Sequence, residues 1–454
     1  MRGNNTEIQE SVVKLKKDEV IGYGLAGAAN NVIFTGMSTF LLFFYTDIIG
    51  IAGSVLGTIM LFSRFLDGIS DVVMGVLVDK TNSKHGKTRP WVLWMAVPFA
   101  IIAVALFTVP DIVSTAQIIY IIITYNIALL IYTATEIPHG TLGALMTQDQ
   151  HQRSILSVAK MTGAYIAIIP ISGFTVYIVE WLGGGQSGWI YTFVIYGVIA
   201  VLLYFNMFRS TKERVNTKAN SENKLSIKLS LKALLKNKYW AIVTLVFIAM
   251  YMWISLTSGA AIYYSKYILG DATLVGILTT TLSIATIASM GLMIPISKKF
   301  GKRNTMVMGC IVAILGTLVF FIDPTDTIVV TIGQILRGFG KAAVMGIIFA
   351  ILADTMEYGE WKTGIRIEGL IYSGASMGIK IGTGVGSALI GWVLAWGGYI
   401  GGKTIQSAAA ITSIKYLFIY IPIILSVIMI IFLLFYNLDK KYPKILKELS
   451  ERTS

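Results

Sequence analysis

The sequence predicts an all-α integral membrane protein of twelve transmembrane helices, arranged as two six-helix bundles with both termini cytoplasmic. Three observations carry this. Of 454 residues, 55% are apolar and only 13% charged, with a mean hydropathy of +0.72, against about 25% charged in an ordinary soluble domain. Runs of about 20 apolar residues, the length that crosses a bilayer, recur from Val20 to Tyr436. The basic residues alternate between the two sides: 29 of the 37 Lys and Arg fall in 1–19, 80–89, 146–153, 209–238, 298–303, 354–366 and 437–454. The opposite side holds Lys266, Lys403 and Lys415 alone, and cytoplasmic loops are the ones that carry such an excess.

The spans read as 20–47, 52–79, 90–110, 115–145, 154–181 and 188–208 in the first half. In the second they are 239–268, 272–297, 304–322, 326–353, 367–397 and 413–436. The longest polar stretch, 209–238, separates an N-terminal bundle (1–208) from a C-terminal one (239–454). In it Lys224, Lys228, Lys232 and Lys236 recur every four residues between leucines and isoleucines, the pattern of an amphipathic helix lying on the inner membrane surface. The halves also repeat. FFYTDIIGIAGSVLGT aligns with IYYSKYILGDATLVGI at an offset of 219, matching Tyr45 with Tyr264 and Gly57 with Gly276. KHGKTR resembles KFGKRN at an offset of 215. Parallel six-helix repeats are a transporter layout.

Composition excludes several functions. The net charge of +13 is spread over every inner loop and forms no nucleic-acid docking face. One cysteine, Cys310, offers neither a disulfide framework nor a metal set. The N-terminal segment lacks the short apolar core and cleavage site of a removable signal peptide. No nucleophile–base set or phosphate loop suggests an enzyme, and no cofactor is expected.

The second span holds the most informative residues. Arg64, Asp67 and Asp71 lie at i, i+3 and i+7, on one helix face, and each such residue at membrane depth costs about 2.5–3.5 kcal/mol on insertion scales. They must face protein or a watery cavity. A structural Arg–Asp pair accounts for one aspartate more easily than for two. Asp67, Ser70 and Asp71 put two carboxylates and a hydroxyl on one patch, suited to a hard cation or to a proton held by crowded carboxylates. The expected coupling ion is Na+, Li+ or H+, with Na+ possible at Asp67 and Asp71.

In the fourth span YTATEIPHG sets Thr133 and Glu136 on one face beside Tyr132, just before Pro138 interrupts the helix. Glu136 reads as a sugar acceptor, since a carboxylate takes hydrogen bonds from neighbouring hydroxyls. His139 reads as a satisfied structural histidine. Asn30 and Asn31 in the first span either bind sugar hydroxyls or tie helices together. Lys160, and Lys380 with Ser376 in the eleventh span, face this acidic centre; Lys380 can neutralise Asp67 or Asp71 when no cation is bound. In the inner loops Lys87 and Arg89, with Arg366, are candidate gate residues, to pair with acidic helix ends such as Asp79; Arg64 is another. Arg337 and Lys341 receive no role.

These strings resemble a known family. GYGLAGAANN, FFYTDIIG, RFLDGISDVVMGVLVDKTNSKHGKTRPW, YTATEIPHGTLGALM, ADTMEYGEWKTGIRIEGLIYS and the lysine of MGIKIG are similar to the glycoside–pentoside–hexuronide:cation symporters, the melibiose permease-like group of the major facilitator superfamily. EYGEWKTGIRIEG looks closest to glucuronide and xyloside carriers. The resemblance implies cation ligation by Asp67, Asp71 and Thr133, with Ser70 where the melibiose carriers have asparagine. It implies substrate contact by Glu136, with Asn31 at a second sugar-binding acidic position, Lys160 where arginine is common, and Lys380 on a matching lysine. Asn at 31 favours a β-xyloside or glucuronide over an α-galactoside, and Ser at 70 leaves the ion open. The expectation is a monomeric cation-coupled sugar importer of a bacterial cell membrane, working by alternating access in the lipid bilayer. The alternative is a lysolipid or other amphiphile transporter of the same fold.

Overall fold

The computed structural model describes residues 14–215, 232–365 and 367–453. The central part of the expected linker helix, with Lys224 and Lys228, and the candidate gate residue Arg366 lie outside the described residues. Within them the chain is helical, without strands. The first half comprises α1 (Lys17–Phe43), α2 (Gly53–Lys80), α3 (Arg89–Phe107), α4 (Ser114–Met146), α5 (Gln150–Trp181) and α6 (Gly185–Ser210). The second comprises α7 (Lys238–Gly259), α8 (Ala261–Tyr267), α9 (Val275–Phe300), α10 (Lys302–Leu318), α11 (Thr327–Thr363), α12 (Glu368–Trp396), α13 (Ala408–Lys415), α14 (Ile421–Phe435) and α15 (Leu438–Thr453).

Eleven of the described helical segments are long and apolar enough to cross a membrane. Helix α2 is as long, 28 residues, but Arg64, Asp67 and Asp71 lower its hydropathy and keep it out of that set. Helix α4 corrects one expectation. It runs 33 residues straight through Pro138, because neighbouring helices in a bundle can re-satisfy the backbone group that proline frees.

Helices α1, α5 and α6 pack together, as do α3 with α4 and α6; in the other half α7 packs on α12 and α14, and α11 on α9 and α10. The halves meet along two seams, α2 with α12 and α5 with α9. Both seams are tightest at the end opposite the termini. A Cβ at Gly53 would come within 2.9 Å of the Gly391 carbonyl, and one at Gly276 would run into that of Gly173; small residues are what let membrane helices approach this closely. Among the described residues, no hydrogen bond or ion pair joins the halves on the terminal side of Lys380.

Candidate functional site

Two polar centres and a cavity lie inside the bundle. The first centre is built on α2. Asp67 is buried, 4% exposed, and its Oδ1 accepts from Thr133 Oγ1 on α4 at 3.0 Å. The same hydroxyl lies 3.3 Å from Asp71 Oδ1, and having one proton it donates to one carboxylate at a time. Ser70 Oγ sits 3.4 Å from Thr133 Oγ1 and donates to the Asp67 carbonyl at 2.8 Å. Lys380 reaches in from α12 of the other half. Its ammonium is 2.7 Å from Asp71 Oδ2, 3.2 Å from Asp67 Oδ2 and 2.7 Å from the Asp67 carbonyl. A tethered cation thus sits on the oxygens suited to a free one. Arg64 Nη1 is 3.5 Å from Asp67 Oδ2, its guanidinium lies over the Phe34 ring, and its buried Nε has no partner among the described residues.

The second centre is Glu136. Its Oε1 accepts from Lys160 Nζ at 2.6 Å and its Oε2 from Asn30 Nδ2 at 2.6 Å. Asn30 is fully buried. Its carbonyl oxygen accepts from Thr135 at 2.9 Å and from the Tyr204 hydroxyl, and its amide also faces His139 Nδ1 at 3.3 Å. His139 Nε2 lies 3.0 Å from the Tyr23 carbonyl; an amide NH2 donates and a carbonyl accepts, so the Nε2–H tautomer satisfies both contacts. Asn30, not Asn31, therefore braces Glu136. Asn31 donates to the Gly27 carbonyl at 2.9 Å and faces the cavity instead.

That cavity, about 270 Å³, lies between the halves and is lined mainly by hydroxyls, among them Ser38, Ser172, Ser258, Ser283 and Thr383. Arg64 and Lys341 are its charged lining residues, and Phe34, stacked 4.4 Å from Tyr132, forms part of an aromatic wall. Ser376 lies elsewhere, exposed in a cleft between α2 and α12 that also holds Asp71 and Lys380.

The inner-loop candidates are engaged within their own half. The Glu213 carboxylate accepts the backbone N–H groups of Lys87, Thr88 and Arg89 at 2.8, 2.8 and 3.0 Å, and the Thr88 hydroxyl at 2.7 Å. It caps the start of α3. Burial pushes this carboxyl up, but those donors outweigh burial and hold it below its ordinary range. The Arg89 guanidinium donates to the Phe208 carbonyl and lies 4.6 Å over the Phe208 ring. No ion pair from Lys87 or Arg89 crosses the bundle among the described residues.

Sequence reasoning missed two features. Asp47, at the end of the first span, has a fully buried side chain bonded across the bundle. Arg337, also fully buried, has each guanidinium nitrogen bonded, to Thr317, Gln334 and the Phe418 carbonyl, between the rings of Phe320 and Phe418. That role is structural.

A helical bundle of two halves with charged and hydroxyl-lined centres buried between them defines a multi-pass membrane transporter. The chain belongs to the MFS/sugar transport protein family, whose model matches residues 22–440, and it is a sugar transporter of the bacterial cell membrane. It is 35% identical over 96% of its length to the isoprimeverose transporter of Lactiplantibacillus pentosus, covering 91% of that protein. It is 31% identical to a putative glycoside/cation symporter of Escherichia coli (strain K12), over 96% of each chain. Among solved structures, a bacterial homologue of the human lysosomal transporter Spinster, in an inward-facing and unoccupied conformation, superposes with a TM-score of 0.68 at 13% identity, over 95% of this chain and 99% of that one. That likeness speaks to the fold alone.

Proposed function

We propose that the protein is a cation-coupled symporter that imports a glycoside, pentoside or hexuronide by alternating access, with α2 as its twelfth span and both termini cytoplasmic. The observation that carries this reading is Lys380, an ammonium supplied by one half, seated on the paired carboxylates of the other. A monovalent cation or proton that takes Asp67, Asp71, Ser70 and Thr133 must release Lys380, and with it a contact between the halves. Ion entry and relative movement of the halves are then one event.

The sugar occupies the hydroxyl-lined cavity beside Arg64 and Asn31, with the halves rocking around it; Glu136 and Lys160, outside that lining, complete the site from α4 and α5. With the termini inside, closure at the end opposite them supports an inward-open state. The likeness to a putative glycoside/cation symporter supports the same assignment.

The test is uptake of labelled xylosides, glucuronides and galactosides into proteoliposomes under imposed sodium, lithium or proton gradients. Accumulation of one sugar class driven by one of these gradients is the expected result. Absence of accumulation for all three classes under all three gradients overturns the reading.

A further inference from the structure

Within the bundle every carboxylate near the cavity has a cation: Glu136 has Lys160, while Asp67 and Asp71 share Lys380 and Arg64. Lys341 is left over. It projects from α11 into the cavity, half-buried, and makes no hydrogen bond or ion pair among the described residues. Across the cavity, on α2 of the other half, Arg64 is 9% exposed and keeps a buried Nε–H without an acceptor. The rest of the lining contains no carboxylate.

The contrast with Arg337 sharpens this. Its guanidinium is as deep, yet each of its three nitrogens has a hydrogen-bond partner. Lys341 is a donor only and its hydroxyl neighbours bring it no negative charge, while Arg64, whose Nη1 is 3.5 Å from Asp67 Oδ2, keeps its Nε–H for an acceptor. Lys341, half-buried and without a counter-ion among the described residues, is stabilised when an anion reaches it.

We infer that Arg64 and Lys341 form a carboxylate subsite, and that the transported sugar is an acidic saccharide, a uronide, whose carboxylate lies between one cation of each half. This rests on the cavity being the sugar site. The carboxylate offers two oxygens, one to each cation, so the substrate's charged end ties the halves together while its ring hydroxyls meet the serines and threonines. Neutral glycosides have nothing to neutralise Lys341, and the site discriminates against them.

Two probes isolate the effect: methyl β-glucuronide and methyl β-glucoside, identical except for carboxylate or hydroxymethyl at C6. In reconstituted protein the glucuronide is expected to compete more strongly for binding and counterflow, by about 10-fold to 100-fold, as for a hydrogen bond to a charged group. Lys341→Met should collapse that ratio toward one, while Lys341→Arg, which keeps the charge, should retain most of it; the second variant guards against a misfolded first. An unchanged ratio in correctly folded Lys341→Met overturns the subsite. If a neutral glycoside accumulates under a cation gradient and the glucuronide neither competes nor enters, the symport reading stands and the carboxylate subsite is wrong. If neither sugar binds, the carboxylate subsite falls, and the symport reading is decided separately by the xyloside and galactoside arms of the uptake assay.

Discussion

Asp47 and Lys266 stand at equivalent positions of the internal repeat, 219 residues apart, and they bond to each other: Lys266 Nζ donates to Asp47 Oδ1 at 2.8 Å across the interface between the halves. The same carboxylate accepts from Tyr267 at 2.6 Å, and through Oδ2 from Tyr399 at 2.6 Å and Thr46 at 2.9 Å. A π-turn at Phe44–Ile48 places Asp47 at this junction. The two equivalent positions are an acid and a base, and together they latch the end of the bundle opposite the termini.

Removing one member of a buried pair costs about 3–5 kcal/mol, because the other charge stays buried and unpaired. Opening that end lets water relieve the cost, so Asp47→Asn and Lys266→Met are expected to shift the population toward the outward-open form. With Cys310 replaced and a single cysteine placed at Ser258 in the cavity, a membrane-impermeant maleimide applied outside should label these variants at least about tenfold faster, since each 1.4 kcal/mol of shift is a factor of ten. Equal labelling of variant and parent would show that the latch does not hold this end closed.

Asp71 is half of the pair that Lys380 bridges, at 2.7 Å. Asp71→Asn leaves Asp67 and Lys380 facing each other without room for a second cation, so gradient-driven accumulation should be lost while sugar counterflow persists. Lys380→Met should act in the opposite sense on ion affinity: with no ammonium to displace, the free ion is expected to bind at least about tenfold more tightly. Accumulation that survives Asp71→Asn would remove Asp71 from the ion site.

Glu136 is held from two sides, by Lys160 and Asn30 at 2.6 Å each. Glu136→Gln keeps the shape and removes the charge, and should weaken sugar binding by about tenfold or more with little change in the ion concentration giving half-maximal uptake. Equal losses for sugar and ion would mean that the two centres are one. Asn30→Ala is expected to lower sugar affinity indirectly, through a less fixed Glu136, and to reduce thermal stability as well, because Tyr204, Thr135 and His139 all lose a buried partner.

How much of this was legible follows from the kind of signal each feature leaves. Spans leave long apolar runs, and the α2 charges break such a run visibly, so the bundle and the Asp67–Asp71 centre could be read from the chain. Asn30 and Asn31 could not be told apart: neighbours on a helix differ by about 100°, and only the packing of α1 against α4 and α5 shows which one meets Glu136. Pro138 signals a break in a soluble helix but not inside a bundle. Asp47 shows no local sign of its partner, which is 219 positions away at the matching place in the repeat. Lys341 carries no local pattern at all; its meaning comes from having no acid beside it.

Glu213 gives a pH prediction outside the membrane. Its carboxylate caps α3 with three backbone N–H groups and the Thr88 hydroxyl, and its folded pKa is lowered, burial notwithstanding, by those donors. A depressed carboxyl pKa contributes stability that is fully present above the unfolded value, about 4.3, and is lost as pH falls through the folded one. Glu213→Ala, which removes the cap, should therefore cost about 0.5–2 kcal/mol at neutral pH, read as a lower midpoint of thermal unfolding in detergent. The difference between parent and variant should hold from pH 7 down to about pH 5 and shrink below about pH 4. A difference that stays constant into acid would show that the carboxylate charge contributes nothing to holding the loop between α2 and α3.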